Sequence, residues 1–315
     1  MTRASDPMLC DILCLGAAHW DVIGHGTGNV VRGADLPGRV KRRPGGVALN
    51  LALAMSEVSA RSVGLLAAVG DDAEGQALVA HCTAQGITTD GILRLSGHAT
   101  DSYVAIEDPD GLVCAIADTG TQLAAGTRIL APLEHGTFSG VAVIDGNLAP
   151  EVLLRALEHL ALARICLVAA SPAKASRLAN LTAAGALPHA TLYANLAEAA
   201  AICGETFDDS TAAARALVGA GFGRAVVTDG PRLAADCAEG RETATLCPPP
   251  FSAGARVTGA GDRFAAAHIT AVLDGRDPVR ALGQAIAAAG QVTDQAHEAS
   301  THVTAPTLKK GRTDV

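Results

Sequence analysis

Aromatic side chains are scarce in this sequence: one Trp, two Tyr and five Phe make up 3% of its 315 residues. With 49% hydrophobic and 18% charged residues the chain can still bury a large core, enough for one large domain or two small ones. C-x-x-C pairs are absent. The eight cysteines, at positions 10, 14, 82, 114, 166, 203, 237 and 247, are scattered and lie mostly in apolar runs. They read as reduced core thiols rather than as zinc ligands or disulfides. The histidines show no H-x-x-x-H spacing, which argues against a metal site built on them. Basic clusters are missing too, since the net charge is −8 and no run of Lys and Arg exceeds Lys41-Arg42-Arg43. A polyanion needs a basic patch, so nucleic acid is excluded as a partner and a small molecule is favoured.

Long hydrophobic runs are also lacking. No uncharged apolar stretch reaches the roughly 18 residues of a membrane span, because Arg, Glu, Pro or Gly interrupt every alanine-rich segment. Arg3 followed by apolar residues and Ala17-Ala18 has the outline of a signal peptide, but Asp6 and Asp11 break its apolar part. The segment is read instead as the first core strand of a soluble, cytoplasmic protein. No G-x-x-x-x-G-K-[ST] loop occurs, and Gly221-Phe222-Gly223 lacks a third glycine and runs into a strand-like segment. A dinucleotide oxidoreductase therefore finds no support.

What is present is an alternation. Strand-like runs (Asp11 to Leu15, Val63 to Val69, Val141 to Asp145, Ile165 to Ala169, Ala225 to Thr228) exchange with alanine-rich helical stretches such as Val47 to Ser59 and Ala73 to Gln85. That rhythm predicts an α/β fold with a mainly parallel sheet. Two segments break it: the glycine-rich Asp21 to Val40, and Thr100 to Ala117, which reads as two short strands around Asp108-Pro109-Asp110-Gly111. Together they can form a small β appendage.

Two glycine-rich helix starts carry chemistry. Val257-Thr258-Gly259-Ala260-Gly261-Asp262 precedes the apolar run Phe264 to Leu273. Its small residues leave backbone N–H groups and the helix dipole open to an anion, and a carboxylate in the first turn can take a proton from an attacking hydroxyl. The alternative is an ordinary glycine turn with Asp262 stabilising the helix start. Pro44-Gly45-Gly46-Val47-Ala48-Leu49-Asn50 likewise leads into a helix. There the glycines admit a sugar hydroxyl close to the backbone and the Asn50 amide can both donate and accept, unless Asn50 is simply exposed. Asp21 follows the first strand at its carboxyl end, where open α/β sheets bind ligands, although a strand-end Asp is otherwise a turn residue. Trp20 beside it can stack on a ligand or anchor the appendage.

This pattern resembles the ribokinase-like carbohydrate kinases, the PfkB family, whose signatures are a G-G-x-x-x-N helix start followed, about two hundred residues later, by G-A-G-D. Asn195-Leu196-Ala197-Glu198 is similar to the family's N-x-x-E motif, and Thr228-Asp229-Gly230 to its nucleotide-contacting turn. The resemblance implies a ribokinase-like three-layer α/β sandwich with a small β lid. It implies one domain over residues 1–300 with lid segments about 20–44 and 98–118, while the tail 301–315, with Lys309, Lys310 and Arg312, reads from its own residues as solvated. It also implies an ATP- and Mg²⁺-dependent kinase acting on a primary hydroxyl of a sugar or nucleoside. Asp262 would be the base, Gly259, Ala260 and Gly261 the anion hole, and Asp21, Gly45, Gly46 and Asn50 the acceptor clamp. Asn195, Thr228 and Gly230 would contact the nucleotide, and Glu198 the metal through water. A homodimer is allowed, because lid edges pair between subunits in relatives.

Departures and finer likenesses narrow the reading. Arg256 and Val257 stand where many members carry Asp-Thr, which bears on a monovalent cation site, and Leu233 replaces a usual glycine of the nucleotide loop. Asp101-Ser102-Tyr103, Ala115 to Asp118 and Asp145-Gly146-Asn147 resemble the pseudouridine kinase branch. On that likeness Asn147 would pair with a uracil edge, and Tyr103 would stack on a base or pack under the lid. Lys174 of Ser171-Pro172-Ala173-Lys174 would neutralise a phosphate or lie on a solvated helix face. Ribokinase-, fructokinase- or adenosine-kinase-like activity and a non-catalytic binding relative are the rival readings.

Overall fold

The computed structural model describes residues 10–183, 187, 189–248 and 259–301. Expectations falling on residues before Cys10, on Arg256 to Thr258 and on the tail 302–315 lie outside them. The strands are β1 (Ile12–Leu15), β2 (His19–Gly26), β3 (Gly38–Gly45), β4 (Val63–Leu66), β5 (Ala68–Gly70), β6 (Leu93–Leu95), β7 (Ser102–Asp108), β8 (Gly111–Asp118), β9 (Val141–Asp145), β10 (Arg164–Val168), β11 (Thr191–Asn195), β12 (Arg224–Thr228), β13 (Ala234–Ala238) and β14 (Ala244–Leu246). The helices are α1 (Val47–Val58), α2 (Ala73–Ala84), α3 (Gly120–Ala125), α4 (Pro150–His159), α5 (Pro172–Ala175), α6 (Ala179–Ala183), α7 (Leu196–Cys203), α8 (Ser210–Gly219), α9 (Ala260–Leu273) and α10 (Pro278–Thr301).

Eight strands form the main sheet in the order β14-β13-β12-β11-β10-β9-β1-β4. Those from β12 to β4 are parallel, and β13 and β14 add an antiparallel edge. Period-2 alternation sends neighbouring residues to opposite faces, and both faces are buried. Leu13, Leu15, Ala142 and Ile144 pack with Leu153 of α4 and Leu217 of α8. Ile12, Cys14, Val143 and Val226 pack with Leu51 of α1, Phe264 of α9 and Leu282 of α10. The expected α/β sandwich with a mainly parallel sheet is thus present.

The expected run Val63 to Val69 is two strands, because the chain leaves the main sheet after Leu66 and β5 pairs with β6 instead. The two irregular segments form one four-stranded sheet, order β3-β2-β7-β8. Its central strand β2 runs through Gly24 and Gly26 and is held by antiparallel β3 on one side and parallel β7 on the other. The cysteines are all free, but only Cys14, Cys82, Cys166 and Cys237 are buried, while Cys114 and Cys247 are exposed. No described helix is long and apolar enough to cross a membrane.

Candidate active site

Strands β1 and β9 are parallel neighbours whose connections leave in opposite directions, one to β4 and the other to β10. Such a switch point opens a crevice at the carboxyl ends of the strands. Asp145, the last residue of β9, lies fully buried in it, accepting hydrogen bonds from Ala17 N at 3.1 Å and Asn147 N at 2.8 Å. Burial raises its pKa against those bonds and against the positive charge of Lys174. Lys174 lies on the four-residue helix α5.

Both signature helices start above the same crevice. Gly46 caps α1, and Gly259 caps α9 with φ of 86°, a left-handed conformation that glycine adopts without a Cβ penalty. Packing of α1 against α9 brings Asn50 and Asp262 together: Asn50 Nδ2 donates to Asp262 Oδ2 at 2.8 Å. An ion pair of Arg263 with Glu57 at 2.9 Å ties the two helices further, and Arg61, beyond the end of α1, pairs with Asp274, the residue that caps α9, at 2.7 Å. Burial lifts the Asp262 pKa to about 7, assisted by the negative charges of Asp145, Glu198 and Asp21 and opposed by Asn50. A carboxyl titrating near neutrality is suited to exchanging a proton with a hydroxyl.

Beside Asp262 lies a cleft of about 890 Å³, lined by Gly259, Ala260 and Gly261 together with Asn195, Glu198, Thr228 and Gly230. Its apolar wall includes Val168, Tyr193, Val226, Phe264 and Ile286. An apolar wall beside polar side chains and a helix N-terminus is chemically suited to a flat apolar group carrying an anionic chain. Asn195 and Glu198 are partly engaged with each other. Asn195 Oδ1 accepts from Glu198 N and Glu198 Oε2 accepts from Asn195 N, each at 2.9 Å, a capping box for α7. Burial raises the Glu198 pKa. Among the described residues no three His, Cys, Asp or Glu side chains cluster as a direct metal cage.

The four-stranded sheet supplies the remaining residues. Asp21 is 6% exposed, pairs with Arg43 Nε at 3.3 Å and has His19 Nδ1 3.4 Å away. A Cβ on Gly45 would lie 2.2 Å from Asp21 Oδ1, so only glycine lets β3 pass so close to this carboxylate. Tyr103 is the register partner of Asp21 on β7, and burial followed by the Asp21 charge raises its pKa. Trp20 takes the anchoring role: its Nε1 donates to the Glu74 carbonyl at 3.0 Å and the Arg42 guanidinium covers its ring at 3.9 Å.

The sequence-derived residues thus fall into three groups: Asp21, Gly45 and Tyr103 on the small sheet, Asn50 with Asp262 between the helix starts, and Asn195, Glu198, Thr228 and Gly230 around the cleft. Asn147 stands at the switch point, where its backbone is held by Asp145. Sequence reasoning missed Arg43, Tyr193 and Phe264 and left Asp145 without a role. Only Asp145 carried a signal, an acidic residue closing an otherwise apolar strand.

Similarity to known proteins follows the same lines. The family model described as pfkB family carbohydrate kinase matches residues 10–304. The chain is 32% identical to the pseudouridine kinase of Escherichia coli strain K12 over 48% of this chain and 48% of that protein. It spans about half the length of the curated relatives it matches. Among solved structures, a carbohydrate kinase from Agrobacterium tumefaciens is 31% identical, with a TM-score of 0.73 over 88% of this chain and 89% of that one. The Arabidopsis thaliana ribokinase complexed with ribose and ATP shares the fold at 17% identity, with a TM-score of 0.73 over 90% and 93% of the two chains. The mainly parallel central sheet with helices around it is therefore that of a ribokinase-like fold, and the chain belongs to the pfkB family of carbohydrate kinases.

Proposed function

We propose that this protein is an ATP-dependent kinase that phosphorylates the primary, 5′, hydroxyl of a nucleoside or sugar, with pseudouridine as the preferred acceptor. The carrying observation is the 2.8 Å bond between Asn50 and Asp262, which joins an acceptor-side helix start to an anion-side one at a single point. The acceptor hydroxyl attacks the γ-phosphorus in line, its oxygen bonds to phosphorus as the β–γ bridge breaks, and ADP leaves. Asp262 takes the hydroxyl proton, and the N–H groups of Gly259, Ala260 and Gly261 stabilise the charge on the transferring group.

Asp21, Gly45, Gly46 and Asn50 would hold the sugar hydroxyls, and Tyr103 and Asn147 the base. Thr228, Gly230 and Asn195 would line the nucleotide site. The negative field that Asp145, Glu198 and Asp21 impose on Asp262 suits a hard cation. Glu198 would hold Mg²⁺ through water, and the bound ion would neutralise phosphate charge. We read residues 1–300 as one kinase domain, with the four-stranded sheet as a lid that excludes water from the transfer. Val40, Val104, Ile106 and Ile116 on that sheet are exposed, which supports pairing of two lids in a homodimer. Free thiols and an ATP-dependent reaction fit the cytoplasm.

The likeness to pseudouridine kinase and the amide of Asn147 favour pseudouridine over ribose. A panel measuring ADP formation with pseudouridine, uridine, adenosine, ribose and ketohexoses tests this. Highest kcat/KM with pseudouridine is expected; preference for another acceptor would reassign the substrate, and no ADP with any of them would favour a non-catalytic binding protein.

A further inference from the structure

Beneath the cleft the core holds a chain of polar groups that the proposed reaction does not use. The Tyr193 hydroxyl lies 3.0 Å from His268 Nδ1, and His268 Nε2 faces Asp236 Oδ2 at 3.3 Å. Asp236 in turn receives both Nε and Nη2 of Arg224, the former at 2.6 Å. Four elements are joined in this way: β11 by Tyr193, α9 by His268, β13 by Asp236 and β12 by Arg224. His268 is fully buried and Asp236 is 3% exposed.

The charges are internally balanced. Hydrogen bonds and the charge of Arg224 hold the Asp236 pKa below the usual carboxylate range despite burial, while burial pushes His268 down and keeps it neutral. The 3.3 Å contact of Nε2 with Asp236 falls outside hydrogen-bond geometry; the tautomer protonated on Nε2 directs that N–H at the carboxylate and leaves Nδ1 to accept from the tyrosine hydroxyl. Burying such groups gains little stability over an apolar core of the same volume, so what they contribute is direction. Direction matters on this helix. Its buried face is largely alanine (Ala260, Ala265, Ala266, Ala267, Ala271), and small side chains interlock weakly. Tyr193 and Phe264 both line the cleft and both pack against the His268 ring, at centroid separations of 5.6 and 6.2 Å.

We propose that His268 is a positioning residue, which by bridging Tyr193 to the Asp236–Arg224 pair fixes the rotation and register of α9 and so the place of Asp262 over the cleft. This rests on the proposed role of Asp262, and the test separates the two. Amide hydrogen exchange across residues 263–267 is compared with that of β1 and β9 in the wild type, His268→Leu and His268→Gln, alongside kcat and KM for the best acceptor of the panel. Leucine removes both polar contacts; glutamine can donate to Asp236 and accept from Tyr193. The leucine variant should exchange about tenfold faster in α9 with β1 and β9 unchanged. Its kcat should fall about tenfold at constant acceptor KM, and glutamine should restore both to within about threefold.

If leucine prevents folding, Tyr193→Phe, which deletes one hydroxyl and keeps the ring in the cleft, should show the same α9-confined acceleration at about threefold. Exchange rising equally in α9 and the central strands, or not at all, would overturn the proposal, as would a leucine variant with wild-type kcat. A wild type inactive with every acceptor would count against the kinase reading, and the exchange comparison would still decide the role of His268.

Discussion

Asn50 and Asp262, separated by 212 positions in the chain, meet through a 2.8 Å hydrogen bond from Nδ2 to Oδ2. One carboxylate oxygen is thereby held, which in the proposed mechanism leaves the other for the substrate proton. The bond favours the ionised form of Asp262, so its loss must raise the pKa of a group already near 7. In Asn50→Ala the acid limb of the kcat/KM profile should move up by about one pH unit. Activity at pH 6 should fall more than at pH 8. A parallel loss at every pH would mean that Asn50 serves the acceptor alone.

Asp262 also sets a sign for stability. Its folded pKa of about 7 exceeds the ordinary 3.8, so the folded protein binds this proton more tightly than the unfolded chain. The contribution is full below pH 4 and is lost as pH rises through 7. Asparagine does not titrate and still offers Asn50 an oxygen. Melting curves of Asp262→Asn and wild type should therefore diverge in favour of the variant between pH 4 and pH 8; convergence would show that the carboxyl is not held above its normal range.

Gly45→Ala would place a methyl group 2.2 Å from Asp21 Oδ1, and backbone and carboxylate cannot both stay in place. The expected result is a rise of about tenfold or more in acceptor KM with ATP affinity little changed, read by steady-state kinetics and nucleotide titration. Unchanged acceptor KM would remove Asp21 from the clamp.

Glu198→Gln keeps the shape of the α7 capping box and removes a charge from the cleft. The Mg²⁺ concentration giving half-maximal rate should rise about three- to tenfold, with smaller effects on acceptor KM. An unaltered Mg²⁺ dependence would assign Glu198 to helix capping only.

Much of this site was legible in the sequence because its parts are local. Gly45-Gly46 and Gly259 to Gly261 announce helix starts through residue type alone, and the apolar run before Asp145 marks a strand end. What the sequence concealed depends on register and packing. The pairing of Asp21 with Arg43 follows from strand alignment across a long β2–β3 connection, which no local pattern encodes. Strand β2 was obscured by Gly24 and Gly26, whose low strand preference is overridden by partners on both sides. The bridge from Tyr193 to Arg224 needs four elements in place before any of its residues has a partner.

The claim that Asp262 is the catalytic base is tested most directly by the turnover of Asp262→Asn with ATP and pseudouridine, with ATP binding measured on the same sample. The account predicts retained ATP binding and a loss in kcat of about a thousandfold or more relative to a wild type that phosphorylates pseudouridine. Turnover within tenfold of wild type would contradict it.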